Sequence, residues 1–202
     1  MALPLYEMTI SDEMTSDLEV TAIALVDEPA IQVNWQAFTA QSAQMNFATI
    51  NEDERLIIGP AMIPDMKIYR NDTEPDGLGE YNVFFSKNTV KKIAEKFYAK
   101  GFQGSANIMH DAGQKVEGVN YFLSWIKDDA KGMIGLAGDY PNGTWFVGAR
   151  VNNPDVWAKI KSGAIKGFSV EGMFQYASTP TVVDASETLL QKIKEILNGI
   201  ND

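Results

Sequence analysis

The 202-residue chain holds one histidine, His110, and a serine set between glycines in Gly167-Phe168-Ser169-Val170-Glu171-Gly172. A serine hydroxyl is a poor nucleophile at neutral pH until a base takes its proton. Imidazole is the side chain whose ordinary pKa suits that task. Any Ser-His acyl transfer in this chain must therefore run through His110, and the two side chains are expected within hydrogen-bond reach. His110 ends the apolar stretch Asn107-Ile108-Met109 and meets the polar turn Asp111-Ala112-Gly113. A strand end lets a side chain project into a cleft while the strand fixes its backbone. Gly167 and Gly172 give backbone freedom on both sides of Ser169 and room for a substrate carbonyl. The spacing is not the G-x-S-x-G elbow. A lone histidine or a strand serine is commonly structural, so the pairing carries the reading.

Composition narrows the choices. The length fits one domain with a tail, and 45% hydrophobic residues are enough for a real core. Cysteine is absent, which excludes disulfides and thiolate metal sites and suits a reducing cytoplasm. A net charge of -10 argues against nucleic-acid binding, which rests on neutralising phosphates. No apolar run reaches the roughly 18 residues of a membrane span. The start of the chain, Met1 to Glu7, lacks the pattern of a signal peptide. The acidic turn Asn71, Asp72, Glu74, Asp76 does not have the ligand spacing of an EF-hand and reads as a solvated loop. Nothing resembles a phosphate-cradling loop. No cofactor and no metal are expected.

The elements that must position the pair follow from pattern. Residues 1–10 and 18–26 read as strands, the second stopping at Asp27-Glu28-Pro29. Residues 36–53 read as a loop. Arg55 to Ile63 is an apolar strand, and the turn cluster 71–80 leads into a returning strand through Tyr81 to Phe85. Ser86 caps a helix over 87–99, with Val90, Ile93, Ala94 and Phe97 at helical spacing and Gly101 as its stop. Strands are expected at 106–109, 116–126, 132–137 and 144–151, with Asn142-Gly143 as a hairpin turn. Asn153-Pro154 starts a short helix that turns Trp157, Ile160 and Ala164 inward and ends at Gly163. Phe168 to Tyr176 reads as one strand. Trp35, Trp125, Trp145 and Trp157 are expected in the core. A Ser/Thr/Pro linker precedes an amphipathic helix near 187–199, striped by Leu189, Leu190, Ile193 and Leu197. This gives an α+β, barrel-like unit over 1–176, followed by a linker and helix over 177–202. A stripe so narrow and loosely tethered suits docking, by self-association or on a partner subunit, or else packing on its own barrel.

Several of these residues carry a family likeness. The stretch from Gly143 to Gly172, with Ile160-Lys161-Ser162-Gly163 and Gly167-Phe168-Ser169-Val170-Glu171-Gly172, resembles the tailed-phage prohead serine proteases, closest to the XkdF-like branch. Asn107-Ile108-Met109-His110-Asp111 matches that family's histidine at a strand end. Ala22 to Ile31 resembles a strand that follows the nucleophile in most prohead proteases; here it comes first, as in a circular permutation. The likeness implies a herpesvirus-protease-like β-barrel flanked by helices. It implies acyl transfer to Ser169 with His110 as base and then acid. The oxyanion would be met by backbone N–H groups near the glycine-rich turn, with Arg150 or Lys166 as candidate helpers. The implied partners are scaffold and major capsid subunits, and the implied place is the assembling prohead in the host cytoplasm.

For the third catalytic position, relatives place an acid in the strand matching 19–26. The nearest matching positions hold Thr21 and Ala22, so Glu19, one same-face step away, is the first choice. Asp27, Asp111 and Glu171 are the alternatives; Glu171 shares a strand face with Ser169. An acid orients the imidazole rather than making bonds. Its absence from the family position leaves a second reading open, a non-proteolytic capsid or scaffold-like protein on a degenerate protease fold.

Overall fold

A computed structural model describes residues 3–27, 48–72, 77–111, 115–135 and 140–177. In chain order its strands are β1 (Leu5–Thr9), β2 (Val20–Val26), β3 (Ala48–Asn51), β4 (Leu56–Met62), β5 (Ile68–Asp72), β6 (Gly79–Phe84), β7 (Ala106–Ile108), β8 (Val119–Ile126), β9 (Trp145–Val151), β10 (Gly167–Gly172) and β11 (Gln175–Tyr176). Helix α1 spans Lys87–Ala99 and α2 spans Pro154–Lys161. The class is α+β, mostly sheet. Among the described residues the strands form three sheets, ordered β11-β1-β6-β5, β10-β2-β7 and β3-β4-β9-β8. Among the described residues no closed barrel is formed.

The β10-β2-β7 sheet carries the site, and its two faces are set by alternation. β2 pairs antiparallel with β10, placing Ser169 opposite Ala24 and Val170 opposite Ile23. On its other edge β2 runs parallel to β7, with Ala24 opposite Asn107 and Ile23 opposite Ala106. Directly paired residues share a face. Ile23, Leu25, Phe168 and Ala106 therefore turn to one side, where all four are buried in the core. Ser169, Ala24, Asn107, Glu171 and Ala22 turn to the other. Tyr121, fully buried on β8, donates its hydroxyl to the Ile23 carbonyl at 2.8 Å and sets its ring edge-on to Phe168. The core thus grips both β2 and β10 from behind.

Both helices begin as their residues dictate. Ser86 Oγ accepts from the Thr89 N–H, and α1 buries Val90, Ile93, Ala94 and Phe97. Asn153 Oδ1 accepts from the N–H groups of Asp155 and Val156 ahead of Pro154, and Trp157 and Ile160 are buried. Ala164 lies beyond α2 and is exposed; Ile165 takes the inward position instead. Gly163, with φ of 75°, supplies the left-handed residue that ends the helix.

Four expectations need correction. The strand at 132–137 is absent over its described residues, which reach Gly135. Lys127 Nζ instead bonds Asp129 and Asn142, and Asn142 Oδ1 accepts from the Asp129 N–H. These side-chain bonds hold the connection as a turn with one bridge, Asp128 to Met133. The strand at 168–176 breaks in two. A register shift at Glu171/Gly172 ends β10, and β11 pairs with β1 in another sheet. Residues 48–51, read as loop, pair with β4. Trp125 is half-buried, stacked on Phe146 at 5.1 Å, whereas Trp145 and Trp157 are core. Trp35, most of the 36–53 segment and the helix near 187–199 lie outside the described residues.

Candidate active site

Ser169 sits mid-strand on β10 and is 1% exposed. Opposite Ser169 and Glu171, β2 places the small residues Ala24 and Ala22, which leaves space above the sheet. His110 fills that space from the end of β7. Its Nε2 lies 2.9 Å from Ser169 Oγ. The imidazole comes round because Met109 and His110 both adopt left-handed backbone, with φ of 55° and 59°. Such geometry costs an L-residue roughly 1–2 kcal/mol each. The turn is pinned at its flanks: the Met109 N–H donates to the Leu25 carbonyl at 3.1 Å, and the Asp27 N–H meets Met109 Sδ at 3.4 Å.

The other imidazole nitrogen faces Glu171, two residues beyond Ser169 on the same strand face. His110 Nδ1 stands 3.5 Å from Glu171 Oε2. That same oxygen accepts from Asn107 Nδ2 at 2.5 Å. Asn107 is 5% exposed and is the residue level with Ser169 across Ala24. A row thus forms across three strands: Ser169 hydroxyl, His110 imidazole, Glu171 carboxylate, Asn107 amide. Asn107 was not singled out from sequence. Its signal is visible only once β2 is known to lie between β7 and β10.

Glu19 is not brought to His110. It is 3% exposed, just ahead of β2, and its carboxylate pairs with Lys100 and stands 3.5 Å from Lys96. Lys96 Nζ also bonds the carbonyls of Ser11, Glu13, Ser16 and Leu18. Glu19 therefore ties the 11–18 loop to α1. Arg150 projects from β9, in a different sheet from Ser169, and Lys166 precedes β10; both are exposed. Asp27 and Asp111 flank the His110 turn and are exposed.

Gly172 has a structural reason to be glycine. A Cβ there would stand 2.1 Å from the Glu19 carbonyl oxygen and 2.7 Å from Val20 Cα. The backbone of β2 crosses β10 at that point, where the register shifts. Among the described residues no cluster of His, Asp and Glu could hold a metal ion.

A hydroxyl bonded to an imidazole, whose far nitrogen meets a carboxylate, is the geometry of serine hydrolases. The family model described as "Putative phage serine protease XkdF" matches residues 44–177, well over half of the chain. The chain belongs to this phage serine protease family. The match contains β7, β9, α2 and β10, hence His110, Ser169, Glu171 and Asn107, and begins after β2. Neither a search of curated proteins nor a search of solved structures returns a match.

Proposed function

We propose that the chain is a prohead maturation protease, cleaving scaffold and major capsid proteins by acyl transfer to Ser169. The observation that carries this reading is the 2.9 Å contact between His110 Nε2 and Ser169 Oγ. The imidazole takes the hydroxyl proton as Oγ attacks the scissile carbonyl, then returns it to the leaving amine. A water, deprotonated by the same imidazole, releases the acyl group. The oxyanion falls to backbone N–H groups beside Ser169.

Glu171 takes the orienting role first assigned to Glu19, because it is the carboxylate that faces Nδ1. Asn107 holds Glu171 in turn. The pairing of β2 with β10 supports a herpesvirus-protease-like arrangement in which the strand following the nucleophile in other prohead proteases has moved to the front of the chain. The enzyme acts inside the assembling prohead in the host cytoplasm. The apolar residues Leu189, Leu190, Ile193 and Leu197 anchor it on scaffold or capsid subunits or on another copy. A purely structural capsid role would give no reason to hold two consecutive left-handed residues at Met109 and His110.

The test is co-expression with the scaffold and capsid proteins of the same phage. Processing that stops with Ser169→Ala supports the protease. Normal assembly without processing, in both forms, would establish the structural alternative.

A further inference from the structure

A hollow adjoins the nucleophile on the side away from His110's strand. Among the described residues β10 pairs only with β2 and so lies at the edge of its sheet. Along its free edge the hollow is walled by Ser169 and closed by Met66, Ile68, Phe85 and Phe174, with Arg70 at its rim. Phe85 and Phe174 meet edge-to-face at 4.9 Å, and Phe85 is buried, so this wall is firm. Ile68 and Arg70 lie on one face of β5, which among the described residues ends its sheet.

We propose that this hollow receives a large apolar side chain of the substrate, on the residue whose carbonyl Ser169 attacks. The proposal rests on Ser169 being the nucleophile and names the substrate class for that site. Bond counting places the side chain. On the acyl side, Cβ is two bonds from the attacked carbon; on the amine side it is three. A pocket that has Ser169 in its own wall is matched to the nearer side chain. Apart from Ser169 and Arg70 its lining side chains are apolar, and a polar group set against them would lose its water without compensation. Arg70 is exposed and donates to the Tyr69 carbonyl at 3.0 Å. Its charge at the rim opposes a lysine or arginine side chain there.

The test uses peptidyl diphenyl phosphonates with identical flanks and leucine, phenylalanine, alanine or lysine at the acyl-side position. A small fluorophosphonate that needs no pocket serves as reference. Leucine and phenylalanine probes should inactivate at least about tenfold faster than alanine, with lysine slowest. Met66→Trp, which fills the hollow, should abolish the advantage of the large side chains. Met66→Ala, which widens it, should shift preference from leucine towards phenylalanine; melting curves check that both variants fold. Equal rates for alanine and leucine, with Ser169 labelled by the small probe, would overturn the subsite alone. Failure of the small probe to label Ser169 would overturn the nucleophile itself, and the subsite with it.

Discussion

His110 and Glu171 meet at 3.5 Å, Nδ1 to Oε2, across the width of a three-stranded sheet. The contact exists because two registers agree. Glu171 is two residues from Ser169 and so shares its face, while the His110 turn folds back over that face at the far edge. Glu19 and Glu171 are both acids beside β2 and β10, yet they have different neighbours: two lysines for one, an imidazole for the other.

That difference separates their variants. Glu171→Gln should keep the fold and slow acylation of Ser169 by about a hundredfold, since an amide cannot hold the imidazolium that forms. Glu19→Gln should leave the acylation rate per folded molecule near wild type but lower stability by about 3 kcal/mol, because it strips a buried ammonium of its carboxylate. Labelling kinetics with a fluorophosphonate and urea melts on both variants decide the matter. The reverse pattern would return the orienting role to Glu19.

How far the sequence reaches is clear from such pairs. The contact between Ser169 and His110 was legible because one histidine leaves one candidate base to pair with the serine. Both helices were legible because Ser86 and Asn153 announce their caps. Glu19 was expected beside His110 but lies elsewhere, because Lys96 on α1 and Lys100 at its C-cap claim it through a fold contact 77 to 81 residues distant in sequence. The parity of Ser169 and Glu171 was available as a local signal, but parity cannot show which acid the imidazole will face. Asn107 was hidden by the same gap, since its level is set by β2 passing between β7 and β10. Over its described residues the strand at 132–137 is replaced by a turn, because Asn142 Oδ1 takes the Asp129 N–H and Lys127 Nζ while the backbone closes the bridge from Asp128 to Met133.

Gly172→Ala should destabilise by about 2 kcal/mol or more, the scale of an overpacked core. The added methyl group meets backbone, the Glu19 carbonyl at 2.1 Å, so no side chain can swing aside. Separation of β2 from β10 at that end should also loosen Glu171. Denaturant unfolding gives the first effect and Ser169 labelling the second. A fully stable variant would show that the crossing relaxes more easily than its geometry implies.

Stability should fall as the solution is made alkaline above about pH 10. Burial, and secondarily Tyr98, pushes the Tyr121 phenol well above its ordinary value of 10.0. Tyr176 is pushed up to about 12, by burial first and then by its bond to Tyr81. Folded protein keeps these protons where the unfolded chain has lost them. The stabilisation is therefore complete below pH 10 and drains away as pH rises towards the folded values. Tyr121→Phe should flatten that decline while lowering stability at pH 8 by about 1 kcal/mol, the worth of its bond to the Ile23 carbonyl. Urea midpoints between pH 8 and 11 measure both. An unchanged slope would mean Tyr121 does not dominate the alkaline limb.

The turn at Met109 and His110 gives the last prediction. Two consecutive L-residues with φ near 55° and 59° are held there against their own preference. Glycine adopts that conformation freely. Met109 is 41% exposed, so its side chain contributes little packing beyond the weak contact with the Asp27 N–H. Met109→Gly should therefore raise stability by about 1 kcal/mol. The same change frees the turn to sample other backbone angles, and His110 would spend less time against Ser169. Acylation should slow even as the melting temperature climbs. Opposite movement of the two quantities would mark the strain as part of how the imidazole is aimed. A lower melting temperature would show instead that the Met109 side chain pins the turn, and that the strain is incidental to the site.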